Sequence, residues 1–168
     1  MRRDGRHWTD VSLRYNGGMT QRLSARHLPK DNARGCHTAR AVLHRDGHYL
    51  LAMHIGAWGR QRRRWGLPGG AIEYGESPEA ALRRELQEEL YQCPGDLVEI
   101  GAFSYKRGLH MVYGAELDVE VLRWDRRELS DVRWFSPAEI EALGREDRLH
   151  ARYELDAVQA LQQILFSR

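Results

Sequence analysis

Glu85, Glu88 and Glu89 stand at relative positions i, i+3 and i+4. On a helix that spacing puts the three carboxylates on one face, converging within a turn. Like charges so placed repel, each pair costing roughly 0.2–0.5 kcal/mol on an exposed helix. A cation among them reverses the sign of that cost. Hard oxygen donors in this number suit Mg²⁺ or Mn²⁺, and Mg²⁺ ordinarily takes one or two carboxylates and completes its shell with substrate phosphates. Three glutamates alone also describe a solvated acidic face, so the decision rests on the residues around them.

The helix that must carry them is well signalled. Ser77 fits an N-cap, and Pro78 fits the first helical position, where its missing N–H and fixed φ do no harm. Ala80, Ala81, Leu82, Leu86 and Leu90 are good helix formers, and Leu82, Leu86 and Leu90 make an apolar stripe at i, i+4, i+8. The glutamates lie off that stripe, so one side serves a core and another a cation. Upstream, Pro68-Gly69-Gly70 is a break that lets backbone approach the helix closely.

Residues 70–92, GAIEYGESPEAALRRELQEELYQ, resemble the signature of the Nudix hydrolases, G-x5-E-x7-R-E-U-x-E-E-x-G-U with U a bulky aliphatic. Gly70, Glu76, Arg84, Glu85, Leu86, Glu88 and Glu89 match in register. The departures are terminal: Tyr91 stands at the Gly and Gln92 at the last aliphatic. A Tyr taking the left-handed turn of that Gly would cost roughly 1–2 kcal/mol. The helix is therefore expected to run slightly further and to stop before Cys93-Pro94-Gly95.

The resemblance implies an α/β fold, an α/β/α sandwich on a mixed sheet, and a pyrophosphohydrolase that uses Mg²⁺, with Mn²⁺ as the alternative ion. Carried over residue by residue, Glu85, Glu88 and Glu89 are metal ligands, with the Gly70 carbonyl as a fourth. Arg84 and Glu76 would orient these carboxylates, since ligating carboxylates need hydrogen-bond partners of their own. Glu88 is the first choice to take a proton from water. MutT-like members also place a glutamate six positions before a Trp that starts the last strand. Here that residue is Glu128, before Trp134, with Glu116 and Glu120 as alternatives. The expected reaction is hydrolysis of a nucleoside diphosphate linked to another group. The proline of ADP-ribose members and the tyrosine of dinucleoside-polyphosphate members fall on Gly108 and His110. A nucleoside triphosphate or a sugar nucleotide is accordingly favoured over an RNA 5′ end. A nucleotide-binding domain without turnover is the third reading.

The remaining chain frames this stretch. At 168 residues a single domain is expected, with residues 1–36 as a lead-in and 37–168 as the Nudix domain. Alternation at Val11, Leu13 and Tyr15 and a turn at Asn16-Gly17-Gly18 suggest a small N-terminal hairpin, packed on the domain or on a second subunit of a homodimer. Strands are expected over 39–43 and 49–53, then 98–105 and 110–117, with Val119, Val121 and Trp124 continuing the alternation. Ser136-Pro137-Ala138-Glu139 opens a short helix ending by Gly144, and Leu149 to Leu165 gives a final amphipathic helix.

Arg60, Arg62, Arg63 and Arg64 precede the signature, and guanidinium forks match phosphate oxygens in pairs. A solvated loop is the equal alternative for that run. A net charge of +2 is too small to argue a nucleic-acid partner. No apolar run reaches the ~18 residues of a membrane span, which points to the cytoplasm. Cys36 and Cys93 make neither a disulfide framework nor a metal pattern.

Overall fold

The computed structural model describes residues 13–14, 35–56, 60–61, 63–106 and 108–167. Its strands are β1 (Leu13–Arg14), β2 (Thr38–Arg45), β3 (His48–Gly56), β4 (Arg60–Gln61), β5 (Gly69–Ala71), β6 (Val98–Tyr105), β7 (Gly108–Glu116) and β8 (Leu129–Phe135). The helices are α1 (Pro78–Leu90), α2 (Pro137–Arg145) and α3 (Tyr153–Phe166). The strands run β1-β6-β7-β2-β3-β4 across one sheet, with β5 added to β2 and β8 to β3. β2 and β7 pair in parallel over seven positions, and β2 and β3 antiparallel, so the sheet is mixed.

Period-two alternation sorts each central strand between two cores. Ala39, Ala41 and Leu43 of β2, Leu50 and Ala52 of β3 and Met111, Tyr113 and Ala115 of β7 share one core with Ala81, Leu82, Leu86 and Leu90 of α1. Val42, Leu51 and Val112 join Ile140, Ala157, Val158 and Leu161 of α2 and α3 in the other. The expected α/β/α sandwich is thus observed. Full burial of each leucine in the α1 stripe contributes about 1.5–3 kcal/mol, which anchors the helix that carries the glutamates.

Local chemistry sets the element ends. Asp46 and Gly47, both at positive φ, close the β2–β3 hairpin. Ser77 caps α1 by accepting from the Ala80 N–H at 3.1 Å, and Ser136 and Glu139 form a reciprocal capping box on α2. Cys36 is buried and Cys93 exposed, and neither is in a disulfide. No helix among the described residues is long and apolar enough to cross a membrane.

Four expectations are corrected. First, α1 stops at Leu90, because Tyr91 adopts the left-handed conformation at φ 56° after all. The Tyr91 and Gln92 N–H groups both turn back to the Leu86 carbonyl, and Arg83 donates to the Pro94 and Gly95 carbonyls. These bonds offset the strain of a side chain in that region. Second, residues 117–128 form no strand: Val121 is buried, but the segment turns at 126–128 before β8. Third, Trp134 lies near the end of β8 and not at its start, and Glu128 immediately precedes that strand. Fourth, Leu149 lies outside α3, in a short parallel bridge with Trp65. The N-terminal hairpin lies outside the described residues except for Leu13–Arg14, which pair in parallel with Ala102 and Phe103 of β6.

Tyr91→Gly should relieve the left-handed strain and raise the unfolding free energy by about 1 kcal/mol, after allowance for the greater entropy of an unfolded glycine. Urea unfolding of the two proteins reads this directly, and a loss of stability would contradict it.

Candidate active site

Glu85, Glu89 and Glu128 each present a carboxylate oxygen, and the three oxygens lie within 4.8 Å of one another. Two come from one face of α1. The third comes from the turn before β8, and backbone bonds bring it there. The Asp125 N–H donates to the Glu89 carbonyl at 2.8 Å, the Glu128 N–H to the Asp125 carbonyl at 3.1 Å, and the Ile55 N–H to the Glu128 carbonyl at 2.7 Å. Asp125 is itself clasped by the Arg127 guanidinium and backbone. The turn is therefore docked on the last turn of α1 and on β3 together.

Glu89 is buried, only 2% exposed, and is held from two sides. Its Oε2 accepts from the Gly69 N–H at 2.7 Å, and its Oε1 lies 3.2 Å from His54 Nε2. Gly69 sits at φ 114°, and a Cβ there would meet the Ala39 carbonyl oxygen at 2.4 Å, so only glycine brings that N–H so close. Arg40 donates to the Gly69 and Leu67 carbonyls and approaches the same His54 nitrogen at 3.1 Å. Nε2 bonds one neighbour at a time: protonated it donates to Glu89, bare it accepts from Arg40.

Glu85 occupies space that Gly70 leaves open, since a Cβ on Gly70 would meet the Glu85 carboxylate at 2.3 Å. Burial, followed by the Glu89 and Glu88 charges, pushes the Glu85 carboxyl above its usual range against the pull of Arg84. Burial and then Glu89, Asp125 and Glu88 do the same to Glu128. The elevation at both residues reflects burial first and the neighbouring carboxylate charges second, a combination typical of functional sites.

Arg84 is the organiser beside them. It clasps Glu76 with two bonds of 3.1 and 3.0 Å, reaches Glu85 at 2.9 Å and Glu88 at 3.3 Å, and donates to the Ala71 carbonyl at 3.0 Å. These partners hold the guanidinium firmly charged, and the Arg84 bonds pull the Glu76 carboxyl below its usual range. Glu88 stands outside the three-carboxylate group: it is 51% exposed and touches Arg84. Its charge nevertheless reaches both Glu85 and Glu128.

The arginine run divides. Arg60 lies in β4 and Arg62 outside the described residues. Arg64 is engaged by Asp147, at 3.2 Å for one of its two contacts, and donates to the Leu149 carbonyl at 3.3 Å. Arg63 is exposed and lines a groove with Arg64, Tyr105, Lys106, Asp147 and His150. Among the described residues no contact ties this run to the carboxylate group.

A cavity of about 240 Å³ adjoins the group, sharing His54 with it and lined also by Arg40, His110, His150, Tyr153 and Glu154. Sequence reading passed over Arg40, His54 and Glu154. A signal existed for Arg40, a charged residue set between Ala39 and the apolar run Ala41-Val42-Leu43 of β2. His54 follows a register shift in the β3–β8 pairing that no spacing rule reveals. Glu154 is 1% exposed; its Oε1 accepts from the Ala151 N–H at 2.9 Å, and its Oε2 has no partner among the described protein groups. Burial pushes the Glu154 carboxyl up to about 7.

With this geometry in view, comparison with known proteins is direct. The NUDIX domain model matches residues 37–155. Nucleoside triphosphatase NudI of Escherichia coli O81 (strain ED1a) is 30% identical over 121 residues, covering 59% of this chain and 80% of the relative. A nucleoside triphosphate pyrophosphatase/Nudix hydrolase fusion protein of Bifidobacterium longum (strain NCC 2705) is 35% identical over 60 residues, 36% of this chain and 12% of that protein. A mutT/nudix family protein from Listeria innocua superposes with a TM-score of 0.61 at 23% identity, covering 83% of this chain and 96% of its own. Fold and site define the class, that of the Nudix pyrophosphohydrolases. The chain belongs to the NUDIX domain family.

Glu154 sets a pH dependence with a definite sign. Its folded-state pKa, about 7, lies above the ordinary 4.5, so the folded state binds the extra proton between those values. Stability from this group is fully present below pH 4.5 and is lost as pH rises through about 7. The unfolding free energy of wild type relative to Glu154→Gln should therefore fall by up to roughly 3 kcal/mol across that window. Denaturant titrations of both proteins at several pH values measure it, and a flat difference would contradict the assignment.

Proposed function

We propose that this protein is a divalent-metal-dependent hydrolase of a pyrophosphate link in a small nucleotide, with nucleoside triphosphates as the favoured substrates. The convergence of Glu85, Glu89 and Glu128 beside an adjoining cavity carries this reading. Relatives described as nucleoside triphosphatases support the choice of substrate.

The donor set fits a hard cation. It is all oxygen, Gly70 keeps room beside Glu85, and two of its carboxyls are pushed upward, first by burial and then by neighbouring carboxylate charges. Mg²⁺ or Mn²⁺ matches such a set better than a softer ion. Glu85, Glu89 and Glu128 would hold the metal, with the Gly70 carbonyl as a further oxygen. When bound, the ion supplies charge neutralisation on the phosphates and a more acidic water.

The chain's own residues do the rest. Gly69, through its N–H, and His54 fix Glu89, while Arg84 fixes Glu85, so the carboxylates are preorganised. Glu88 remains unengaged apart from Arg84, and we assign it the water's proton; Glu128 then serves as a ligand. Arg63 and Arg64 flank the far end of the cavity through the groove that shares His150, where they would meet additional anionic groups of a longer substrate.

Phosphate or pyrophosphate release from a nucleotide panel in Mg²⁺ tests the reading. Turnover should vanish on chelation. Glu89→Gln should lose both metal binding and activity. Glu88→Gln should keep the metal-dependent rise in thermal stability while kcat falls roughly 10²–10⁴-fold. Wild-type rates in Glu88→Gln would remove Glu88 as the base, and metal-independent turnover would overturn the proposed mechanism.

A further inference from the structure

The cavity beyond His54 holds a group that the hydrolysis itself does not use. Glu154, at the start of α3, is buried, and its Oε1 is engaged in holding the Ala151 N–H. That bond explains a local structural role for one oxygen. It leaves Oε2 an acceptor without a partner, on a side chain that lines the cavity. Buried polar groups are ordinarily satisfied, so an orphan beside a cavity points to a ligand atom.

The surroundings indicate what that ligand is. The His110 and Tyr153 rings lie 5.5 Å apart between centroids, and Tyr105 meets His150 edge-on at 5.3 Å. Burial, and then Arg40, push His110 down to about 4, so its ring is neutral at ordinary pH, and its Nδ1 lies 2.5 Å from Thr38 Oγ1. The lining thus combines the His110, His150 and Tyr153 rings and the apolar Ile55 and Leu67 with the side chains of Arg40 and Glu154. At about 240 Å³ the space falls below the roughly 300–1,000 Å³ of sites for drug-sized ligands, which suits one heteroaromatic ring and not a second nucleotide. His54 joins this space to the carboxylates, with Nε2 3.2 Å from Glu89 Oε1. A molecule with its phosphates at the carboxylates would have room for its other end here.

We propose that Glu154 is a specificity-determining residue that reads the base of the nucleotide, its Oε2 accepting an N–H from an exocyclic amino group. The assignment rests on the reading of the site as a nucleotide hydrolase. It goes beyond that reading in naming what the enzyme selects, a base with an amino group over the same base without one.

The test uses matched pairs: ATP against purine riboside triphosphate, and GTP against ITP. For wild type, Glu154→Ala and Glu154→Gln, kcat and KM are measured in Mg²⁺. Binding of the corresponding nucleoside monophosphates is measured without metal. Assayed above pH 7, where the Glu154 carboxyl is mostly ionised, wild type should favour the amino member of at least one pair by about tenfold or more, the ratio for one hydrogen bond to a charged group, with the difference in KM. Glu154→Ala should erase that preference. Glu154→Gln retains an acceptor for the Ala151 N–H, so it should fold even where the alanine variant does not, and should weaken or reverse the preference. Equal use of both members by wild type, or an undiminished preference in the variants, would overturn the proposal while leaving the hydrolase intact. Absent turnover with a Glu154-dependent amino preference in monophosphate binding would instead refute the hydrolase and sustain the base reader. Absence of both overturns the proposal as well.

Discussion

Three carboxylates within 4.8 Å of one another, one of them almost fully buried, are the constraint on which the rest of this structure depends. Unaided, such a group flies apart or takes up protons, and its carboxylate charges add to burial in the upward push on Glu85 and Glu128. The protein opposes it with fixed donors. Arg84 spans Glu76, Glu85 and Glu88, while the Gly69 N–H grips Glu89. These partners orient the oxygens without cancelling their charge, which keeps the site ready for a divalent cation.

Much of the fold serves that placement. The leucine stripe of α1 fixes the helix on the sheet, so Glu85 and Glu89 have little freedom to separate. Gly69 and Gly70 let β5 lie close against β2 and α1, so that a Cβ would collide with the Ala39 carbonyl at the first and with the Glu85 carboxylate at the second. The bond from Asp125 to the Glu89 carbonyl ties the third carboxylate to the same helix turn. On the other face of the sheet, α3 delivers Glu154 to a cavity that meets the carboxylates at His54.

Legibility in the sequence followed the range of the interactions. Everything decided within a few residues could be read: the Ser77 cap, the leucine stripe, the glutamate spacing and the Ser136 capping box. Arg84 and Glu76 came from the resemblance as residues that orient the ligating carboxylates, and their clasp of each other by two bonds was not foreseen. Glu128 was also reached only through the resemblance, because a turn whose backbone docks on a distant helix leaves no periodic trace. Tyr91 was misjudged because its strain was visible and the backbone bonds that offset it were not. Val119, Val121 and Trp124 alternate as a strand would, yet the segment is drawn onto α1 by Asp125 and finds no ladder partner. His54, Arg40 and Glu154 lie on three different elements, and their meeting is a property of the tertiary fold alone.

The central claim is that crowded negative charge awaits a cation, and the stability of Glu128→Gln with and without Mg²⁺ tests it most directly. Removing one charge should leave the metal-free protein as stable as wild type or more so, because the partial burial of a charged carboxylate and its repulsion with Glu89, Asp125 and Glu88 are both relieved. Added Mg²⁺ should raise the unfolding temperature of wild type, by mass action on the folded state, and raise that of the variant much less. A wild-type unfolding temperature indifferent to both Mg²⁺ and Mn²⁺, or a metal-free variant clearly less stable than wild type, would contradict the account.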